Sequence, residues 1–557
     1  MAQATANRIP VADHGKNPWL ALIVLCMGFF MIVLDTTIVN IAIPSIIDGL
    51  RASLDSILWV LNSYILVYAI LLITASRLGD RFGQRNLFVI GLIVFTLASA
   101  ACGIAPDTNQ LIVARIVQGI GGALLTPQTL AMISTIFPPE RRGTALGVWG
   151  AVAGIAAIAG PTVGGLITTN FDWRWIFYLN VPVGILAVIG SYLFVPDLRP
   201  GRRHGFDLVG MLLSTASLFG IVFSLIEGQR YNWGTINGPL SIPLLLALGV
   251  ALMVAFIFWE SRASEPLVPL TLFTHNHNFA ILNWVTAATA FGMLGLFLPL
   301  TIYLQSVLGM TAFQAGLAFA PMSLTSMLVA PLAGNLSDRI GGKYILMFGL
   351  GAFGLGMGGI TFFATTTSTW ATFLPWLILA GAGMGCTFAP ATAVAMRNIE
   401  PHMVGAASGV FNTMRNLGGA IGSAVVGAVL QNRLAAALAD QAQARSNELP
   451  AQLPPAVREK IIGTFSGGSA GLEVGRGQTG GGGVPAGLPP QAAAQIATYF
   501  HDVFAGAYIN AMRPTLSISI TVLLLAAASC LLIARRKQAA VQADEAREQA
   551  VVAEARA

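Results

Sequence analysis

The sequence predicts an all-α polytopic membrane protein: two six-helix halves with two further helices inserted between them, fourteen transmembrane helices in all. Three observations predict it. Hydrophobic residues make up 55% of the 557, and charged residues only 10%, against about 25% charged in a soluble domain. Apolar runs of membrane-crossing length recur fourteen times along the chain. A ten-residue loop sequence returns 258 residues further on.

The elements follow in order. Residues 1–18 are polar and read as a cytoplasmic tail. The apolar run beginning near Trp19 is too long for a signal-peptide core and is kept as the first span. The first six spans fall at about 19–45, 57–76, 86–105, 109–136, 143–168 and 175–195, making 19–195 the first half. Spans seven and eight, at about 207–227 and 239–259, lie with their linkers in an insert over 196–275. The last six, at about 277–305, 312–333, 343–364, 371–396, 405–431 and 514–534, belong to the second half, 276–534. Within it, 432–506 is a long extracytoplasmic loop that begins with an Ala-rich helical continuation of the thirteenth span and passes through a Pro-rich stretch. Its Gly-rich part, from Gly463 to Gly487, is expected to be flexible coil. Residues 491–505 are expected to form a short amphipathic helix. Residues 535–557 form a second cytoplasmic tail.

Loop charge sets the orientation. One set of loops holds Arg77, Arg81 and Arg85, then Arg141 and Arg142, Arg199, Arg202 and Arg203, Arg262, Arg339 and Lys343, and Arg397. Arg535, Arg536 and Lys537 follow the last span. The alternate short loops hold only Arg51, Arg174 and Arg230. Positive charge stays inside, so both termini are expected in the cytoplasm. With the basic residues scattered through loops, the +6 net charge does not point to nucleic acid. Cys26, Cys102, Cys386 and Cys530 have neither metal-ligand spacing nor a disulfide framework. No metal site is expected.

The repeat is Ser76-Arg77-Leu78-Gly79-Asp80-Arg81-Phe82-Gly83-Gln84-Arg85, returning as Gly334-Asn335-Leu336-Ser337-Asp338-Arg339-Ile340-Gly341-Gly342-Lys343. Two like-oriented halves related about the membrane normal are the plan of a rocking transporter with its site between the halves.

Two buried charges stand out. Asp35 is the only charge in the first apolar run, and a carboxylate deep in hydrocarbon costs a few kcal/mol, about 2.5–3.5 on insertion scales. Arg115 lies about six residues, or about 9 Å, inside its helix. Both fall in the outer half of the membrane, so they can pair directly or through water. The alternative for Arg115 is snorkelling to the outer surface. The counterpart of Arg115 is near Leu377, and no acid stands between Asn283 and Gly295 where a twin of Asp35 would fall. Loops are duplicated and these charges are not, which reads as function rather than architecture. Arg415, with Asn412 one turn before it, is a third deep charge that either lines the central cavity or binds an anionic group, or else snorkels inward or caps a neighbouring helix.

The chain resembles the major facilitator superfamily, and more closely its fourteen-span drug:proton antiporter branch, bacterial multidrug exporters. Several motifs carry the resemblance. The 76–85 loop matches the family's cytoplasmic loop signature, with Ser76 where Gly is usual. The resemblance makes Gly79, Asp80, Arg81, Gly83 and Arg85, with Asp338, Arg339 and Gly341 in the repeat, a latch between the halves. Arg115, Gln118, Gly119, Gly121 and Gly122 resemble the span-four motif, whose Arg is implicated in proton coupling. Gly154, Gly160, Pro161, Gly164 and Gly165 resemble the Gly-Pro motif of antiporters, a hinge in which Pro161 would kink the helix. Trp173 through Pro182 also looks like this branch and reads as an interfacial anchor.

The resemblance implies proton coupling through Asp35 and Arg115, small-molecule substrates, residence in the bacterial inner membrane and drug export. No cofactor is expected. The chain lacks a phosphate-binding Gly-rich loop ending in Lys-Ser or Lys-Thr, so the proton gradient replaces ATP. Asp35, Trp59, Tyr64, Tyr68, Phe291, Phe297, Asn412 and Arg415 are the candidates for contact with substrate. Aromatic faces suit lipophilic cations. Monomeric action is expected. Export of one endogenous metabolite, antibiotic, siderophore or lipid is the alternative, and a non-transporting sensor or scaffold a remoter one.

Overall fold

The computed structural model describes residues 17–52, 54–197, 207–228, 230–263, 265–274, 276–397, 399–400, 403–449, 455–466 and 490–533. Outside these lie the expected tails, Arg199, Arg202, Arg203, Arg535, Arg536 and Lys537, and most of the Gly-rich segment. The side chains of Pro161 and Asp338 also lie outside the described part.

The first half holds α1 (Pro18–Leu50), α2 (Leu54–Phe82), α3 (Gln84–Ile104), α4 (Thr108–Ile136), α5 (Pro139–Asn170), α6 (Trp175–Tyr178) and α7 (Asn180–Phe194). The insert holds α8 (Leu208–Glu227), the hairpin β1 (Thr235–Asn237) and β2 (Leu240–Ser241), α9 (Ile242–Glu260) and α10 (Thr271–Thr274). The second half holds α11 (His277–Ile302), α12 (Ala312–Ala318), α13 (Ala320–Ile340), α14 (Lys343–Phe363), α15 (Trp370–Ala395), α16 (Val404–Ala444), α17 (Pro455–Ser466) and α18 (Pro490–Ser529). Thirteen helices among the described residues are long and apolar enough to cross a membrane. The fifth expected span is α5, 32 residues long.

Helix starts follow local chemistry. Asn17 caps α1 by accepting from the Trp19 N–H, with Pro18 at the first position. Asp107 caps α4 by accepting from the Gln110 N–H at 2.9 Å. Each side chain satisfies a backbone donor that the first helical turn leaves free.

Several boundaries differ from the sequence reading. The sixth span is broken at Leu179 into α6 and α7, and the tenth at Phe319 into α12 and α13. The expected short helix over 491–505 and the last span are one helix of 40 residues, running straight through Pro514. Helix α16 runs for 41 residues, about 60 Å, twice the hydrocarbon thickness. Gly463 to Ser466, expected as coil, belong to α17. Beyond the membrane-length portions, α16, α17 and α18 gather a separate apolar core of Leu449, Ile461, Phe465, Ile496, Tyr499, Phe500 and Val503. The Tyr499 hydroxyl donates to the Ala442 carbonyl at 2.6 Å. Part of the expected loop is therefore a packed helical cap. Its apolar residues recur at helical spacing, a signal the surrounding Gly and Pro obscured.

Within the first half α4 packs on α2 and α3, and α1 on α5 and α7. Within the second, α15 packs on α13 and α14, and α16 on α11 and α18. The halves meet along two seams, α5 against α13 and α2 against α16. The insert pair α8–α9 docks by α8 onto α2. This is the architecture expected from the repeat.

Candidate functional site

The site is assembled from five helices of the first half. Asp35 lies midway along α1, and Arg115 two turns into α4. Their side chains are 0% and 1% exposed. Arg115 Nη1 donates to Asp35 Oδ2 at 2.5 Å and to Gln118 Oε1 at 2.8 Å. Its Nε donates to the Val60 carbonyl of α2 at 3.2 Å, and its Cζ lies 4.2 Å from the ring centroid of Tyr64. The other carboxylate oxygen, Asp35 Oδ1, accepts from Gln118 Nε2 at 2.8 Å and from Asn180 Nδ2 of α7 at 3.5 Å. Asn180 also donates to Ser99 Oγ of α3 at 3.1 Å, and Ser99 to the Phe177 carbonyl at 2.9 Å.

Two charges removed from water persist together only where the pair is close and the leftover donors and acceptors are bonded. Here both conditions hold: each carboxylate oxygen has a donor, and the guanidinium has a carboxylate, an amide oxygen, a carbonyl and an aromatic face. The arrangement answers the choice between pairing and snorkelling for Arg115, which points inward to Asp35. Chemically, a proton on Asp35 would cancel one charge and release Arg115 from α1, leaving it on Gln118 and Val60. A switch between these bonding patterns alters how tightly α1 is held to α4 and α2.

In the second half the counterpart of Arg115 is apolar. Leu377 is buried, as is Phe373 one turn before it.

The candidate substrate residues are dispersed. Tyr64 and Tyr68 are buried and stack on each other, centroids 6.1 Å apart. Glycines allow it: a Cβ on Gly119 would meet the Tyr64 carbonyl at 2.9 Å, and one on Gly122 the Tyr68 ring at 3.3 Å. Tyr68 donates its hydroxyl to Thr126 Oγ1 at 3.1 Å. Both tyrosines therefore pack inside the first half rather than gathering with the aromatics of α11. Trp59 faces Phe223 of α8 at 5.9 Å. Phe291 is buried where α16 crosses α11 at Gly422, and Phe297 lies 4.8 Å from Phe319. Asn412 donates its amide to the Ser408 carbonyl of its own helix at 2.9 Å. Arg415 is half-buried and has no ion pair or hydrogen bond among the described residues. It stands two turns beyond Ser408 on the same face of α16, and the Ser408 hydroxyl donates across the seam to the Pro127 carbonyl of α4 at 2.9 Å.

The repeated loop is the other device on this seam. Asp80 is buried with Arg77 Nη1 3.7 Å away. It stands against Gly405 of α16, where any Cβ would collide with the carboxylate. The Ser76 hydroxyl donates to the Gly405 carbonyl. Gly79 lies against the Gln128 amide, and Arg81 is exposed. Gly83 and Gly341, equivalent by the repeat, hold φ of 93° and 87°, a region that favours glycine. Arg85 pairs with Asp197 at 3.4 Å and donates to the Val195 carbonyl at 3.5 Å. Its counterpart Lys343 donates to the Leu531 and Ile533 carbonyls at 2.5 and 3.2 Å. Each half thus ties its loop to the end of its own sixth span. Arg339 is exposed.

Helix α5 runs between α1 and α13. Gly154 faces the Ser323 carbonyl of α13, where a Cβ would come within 3.0 Å. Gly160 and Gly164 face Thr37 and Ile38 of α1, and Gly165 faces Phe313. A Cβ on Gly160 would collide with Thr37, two residues past Asp35, whereas Gly150 has nothing within 4 Å. Overpacking a close contact costs about 1–3 kcal/mol. Gly160→Leu is therefore expected to push α5 off α1 and to lower the melting temperature in detergent, and Gly150→Leu to leave it nearly unchanged.

Gln118, Asn180, Ser99 and the Val60 carbonyl were not among the expected site residues. Gln118 stood in the span-four motif without a role; its place one turn after Arg115 on the same face is the signal that it shares Asp35. Asn180 is a polar residue at a span's start, and its role shows only once α7 packs beside α1.

Comparisons with known proteins agree in kind. A family model described as the Major Facilitator Superfamily matches residues 25–423. The chain is 39% identical over 443 residues to the puromycin resistance protein pur8 of Streptomyces alboniger, covering 78% of this chain and 87% of that one. It is 36% identical over 426 residues to the multidrug resistance protein Stp of Mycobacterium tuberculosis strain CDC 1551 / Oshkosh, covering 76% and 78%. Among solved structures, the human organic anion transporter MFSD10 (TETRAN) superposes with a TM-score of 0.56 at 11% identity, over 91% of this chain and 99% of that one. That likeness concerns the fold alone.

Proposed function

This chain belongs to the major facilitator superfamily, and on that premise we propose that it is a proton-coupled exporter of lipophilic drugs, chiefly cations, working by alternating access. The family and the relatives are membrane transporters of small molecules, not enzymes. The observation that carries the coupling is the buried Asp35–Arg115 pair, present in one half of a duplicated fold. In this reading the protein sits as a monomer in the bacterial inner membrane with both termini in the cytoplasm.

Asp35 takes a proton from outside. That releases Arg115 from α1 and favours opening toward the cytoplasm. Substrate entering from the cytoplasm or inner leaflet then favours loss of the proton inward and opening outward. Each net elementary charge moved through the potential supplies about 2.3 kcal/mol per 100 mV, so two protons exchanged for one monovalent cation sustain a gradient of tens-fold per 100 mV, whereas one proton for one cation moves no net charge and draws on the pH difference alone. The antibiotic and multidrug resistance names of the two relatives support drugs as cargo.

A second reading has one observation behind it. Arg415 is a half-buried cation without a partner among the described residues, and it suits an endogenous substrate bearing an acidic group. Everted vesicles separate the two. An imposed inside-acid pH gradient should drive uptake of ethidium and quaternary ammonium compounds. Uptake of acidic amphiphiles alone, lost in Arg415→Ala, would favour the second reading.

A further inference from the structure

We propose that Glu227, at the end of the inserted helix α8, is a positioning residue for the Asp35–Arg115 pair and acts on it through α2. The inference rests on the proton-coupling reading above.

Glu227 is 1% exposed and both of its oxygens are used. Oε1 accepts from Asn62 Nδ2 of α2 at 2.9 Å, and Oε2 pairs with Arg230 Nη1 at 2.9 Å. Asn62 stands between Val60 and Tyr64, the two α2 residues that touch Arg115. The same stretch of α2 is fixed to α8 twice more. Trp59 faces Phe223, and Leu66 and Ala69 pack with Val222. Residues 59–69 of α2 are thus clamped between Arg115 of α4 on one side and the insert on the other.

The insert does not need a buried acid to pack. Helices α8 and α9 close on each other through Gly220 and Gly249, where a Cβ on Gly220 would come within 2.9 Å of the Gly249 Cα. The outward faces of the pair are apolar, with Leu212, Phe219, Leu244, Leu248, Val254 and Phe258 exposed. Buried ionic contacts add little net stability and are better suited to fixing one geometry. Glu227 fixes the register of α8 against α2, and so the height of the Val60 carbonyl and the Tyr64 ring beneath Arg115.

The charged and titratable neighbours are few. Glu227 faces Asn62 from α2 and Arg230 from its own following turn. Neither α9 nor α16 presents an ion pair to it among the described residues. Asp35 faces Arg115 and Gln118 from α4 and Asn180 from α7. Arg115 has Tyr64 beneath it from α2, and Gln118 has Cys102 Sγ of α3 3.6 Å away. When α2 loses its hold, Arg115 loses two contacts. The guanidinium beside Asp35 is then held less firmly, and the balance between the paired and the released arrangement of Arg115 shifts toward release.

The test uses the full chain in vesicles, with ethidium as probe and an imposed pH gradient as drive. Glu227→Ala and Asn62→Ala are expected to lower proton-driven transport about tenfold and to move its half-maximal pH upward by about one unit. Glu227→Gln keeps an oxygen for Asn62 and is expected to stay within about twofold of wild type. Wild-type rate and pH profile in both alanine variants, with Asp35→Asn inactive, would overturn the inference and leave the coupling intact. Equal loss in Glu227→Gln with a silent Asn62→Ala would also overturn it, because the Arg230 pair would then be the contact that matters. If Glu227→Ala fails to insert, Asn62→Ala makes the same test from the α2 side. A wild-type protein that moves ethidium without protons removes the coupling premise itself.

Discussion

Asp35→Asn is expected to reduce proton-driven accumulation to the passive level while the protein still folds and inserts. The substitution is nearly isosteric, so α1 keeps its packing against α5 and α7. An amide oxygen still accepts from Arg115 or Gln118, but Arg115 loses its counter-charge, so the variant is expected to melt somewhat earlier than wild type. What disappears is the group that can hold a proton and the charge that draws Arg115 toward α1. Exchange of substrate for substrate, which needs no net proton movement, should persist. The two modes are separated in vesicles by imposing a pH gradient in one series and a preloaded substrate in the other. Full gradient-driven transport by the variant contradicts the account.

Arg115→Ala should do more harm. It leaves a carboxylate that is 0% exposed with two amide donors and no counter-charge. Breaking a buried pair from one side costs about 3–5 kcal/mol, a large part of a domain's net stability of about 5–15 kcal/mol. The variant is expected to melt earlier in detergent and to lose coupling. The double variant Arg115→Ala with Asp35→Asn should recover most of the thermal stability and none of the coupling, because no charge is then left unpaired. Arg115→Lys keeps the charge but cannot reach Asp35, Gln118 and Val60 together with one ammonium. It should fold well and couple poorly. Near-normal melting and coupling in Arg115→Ala would return this residue to a surface role.

The two halves, the insert and the pairing of Asp35 with Arg115 were legible because each leaves a mark on the linear chain. Apolar runs mark spans, the repeat marks the halves, and a lone charge in an apolar run asks for a partner. The loop glycines were legible for the same reason: Gly83 and Gly341 recur at the repeat distance, and both adopt positive φ. What was not legible depends on contacts between distant segments. Nothing in residues 173–182 says that Asn180 will reach Asp35, since that requires the break at Leu179 and the packing of α7 on α1. Nothing in the sequence of the seventh span marks Glu227 as a partner of Asn62; that contact exists only because α8 packs on α2. Tyr64 and Tyr68 read as cavity aromatics because their rings suit a cation. The cation that Tyr64 meets is Arg115, brought close by the small residues of α4. The helical continuation of α16 and a helix over 491–505 were legible; that they close with α17 around a shared apolar core was not, because Gly and Pro surround the core residues.

The central claim is that Asp35 exchanges its proton against substrate. Purified protein in weakly buffered detergent, mixed with ethidium or a quaternary ammonium compound, tests it most directly by the change in pH. The account predicts proton release that saturates with substrate, is abolished in Asp35→Asn and is weakened in Arg115→Ala. Saturable ethidium binding with no proton release, or equal release from wild type and Asp35→Asn, would contradict it.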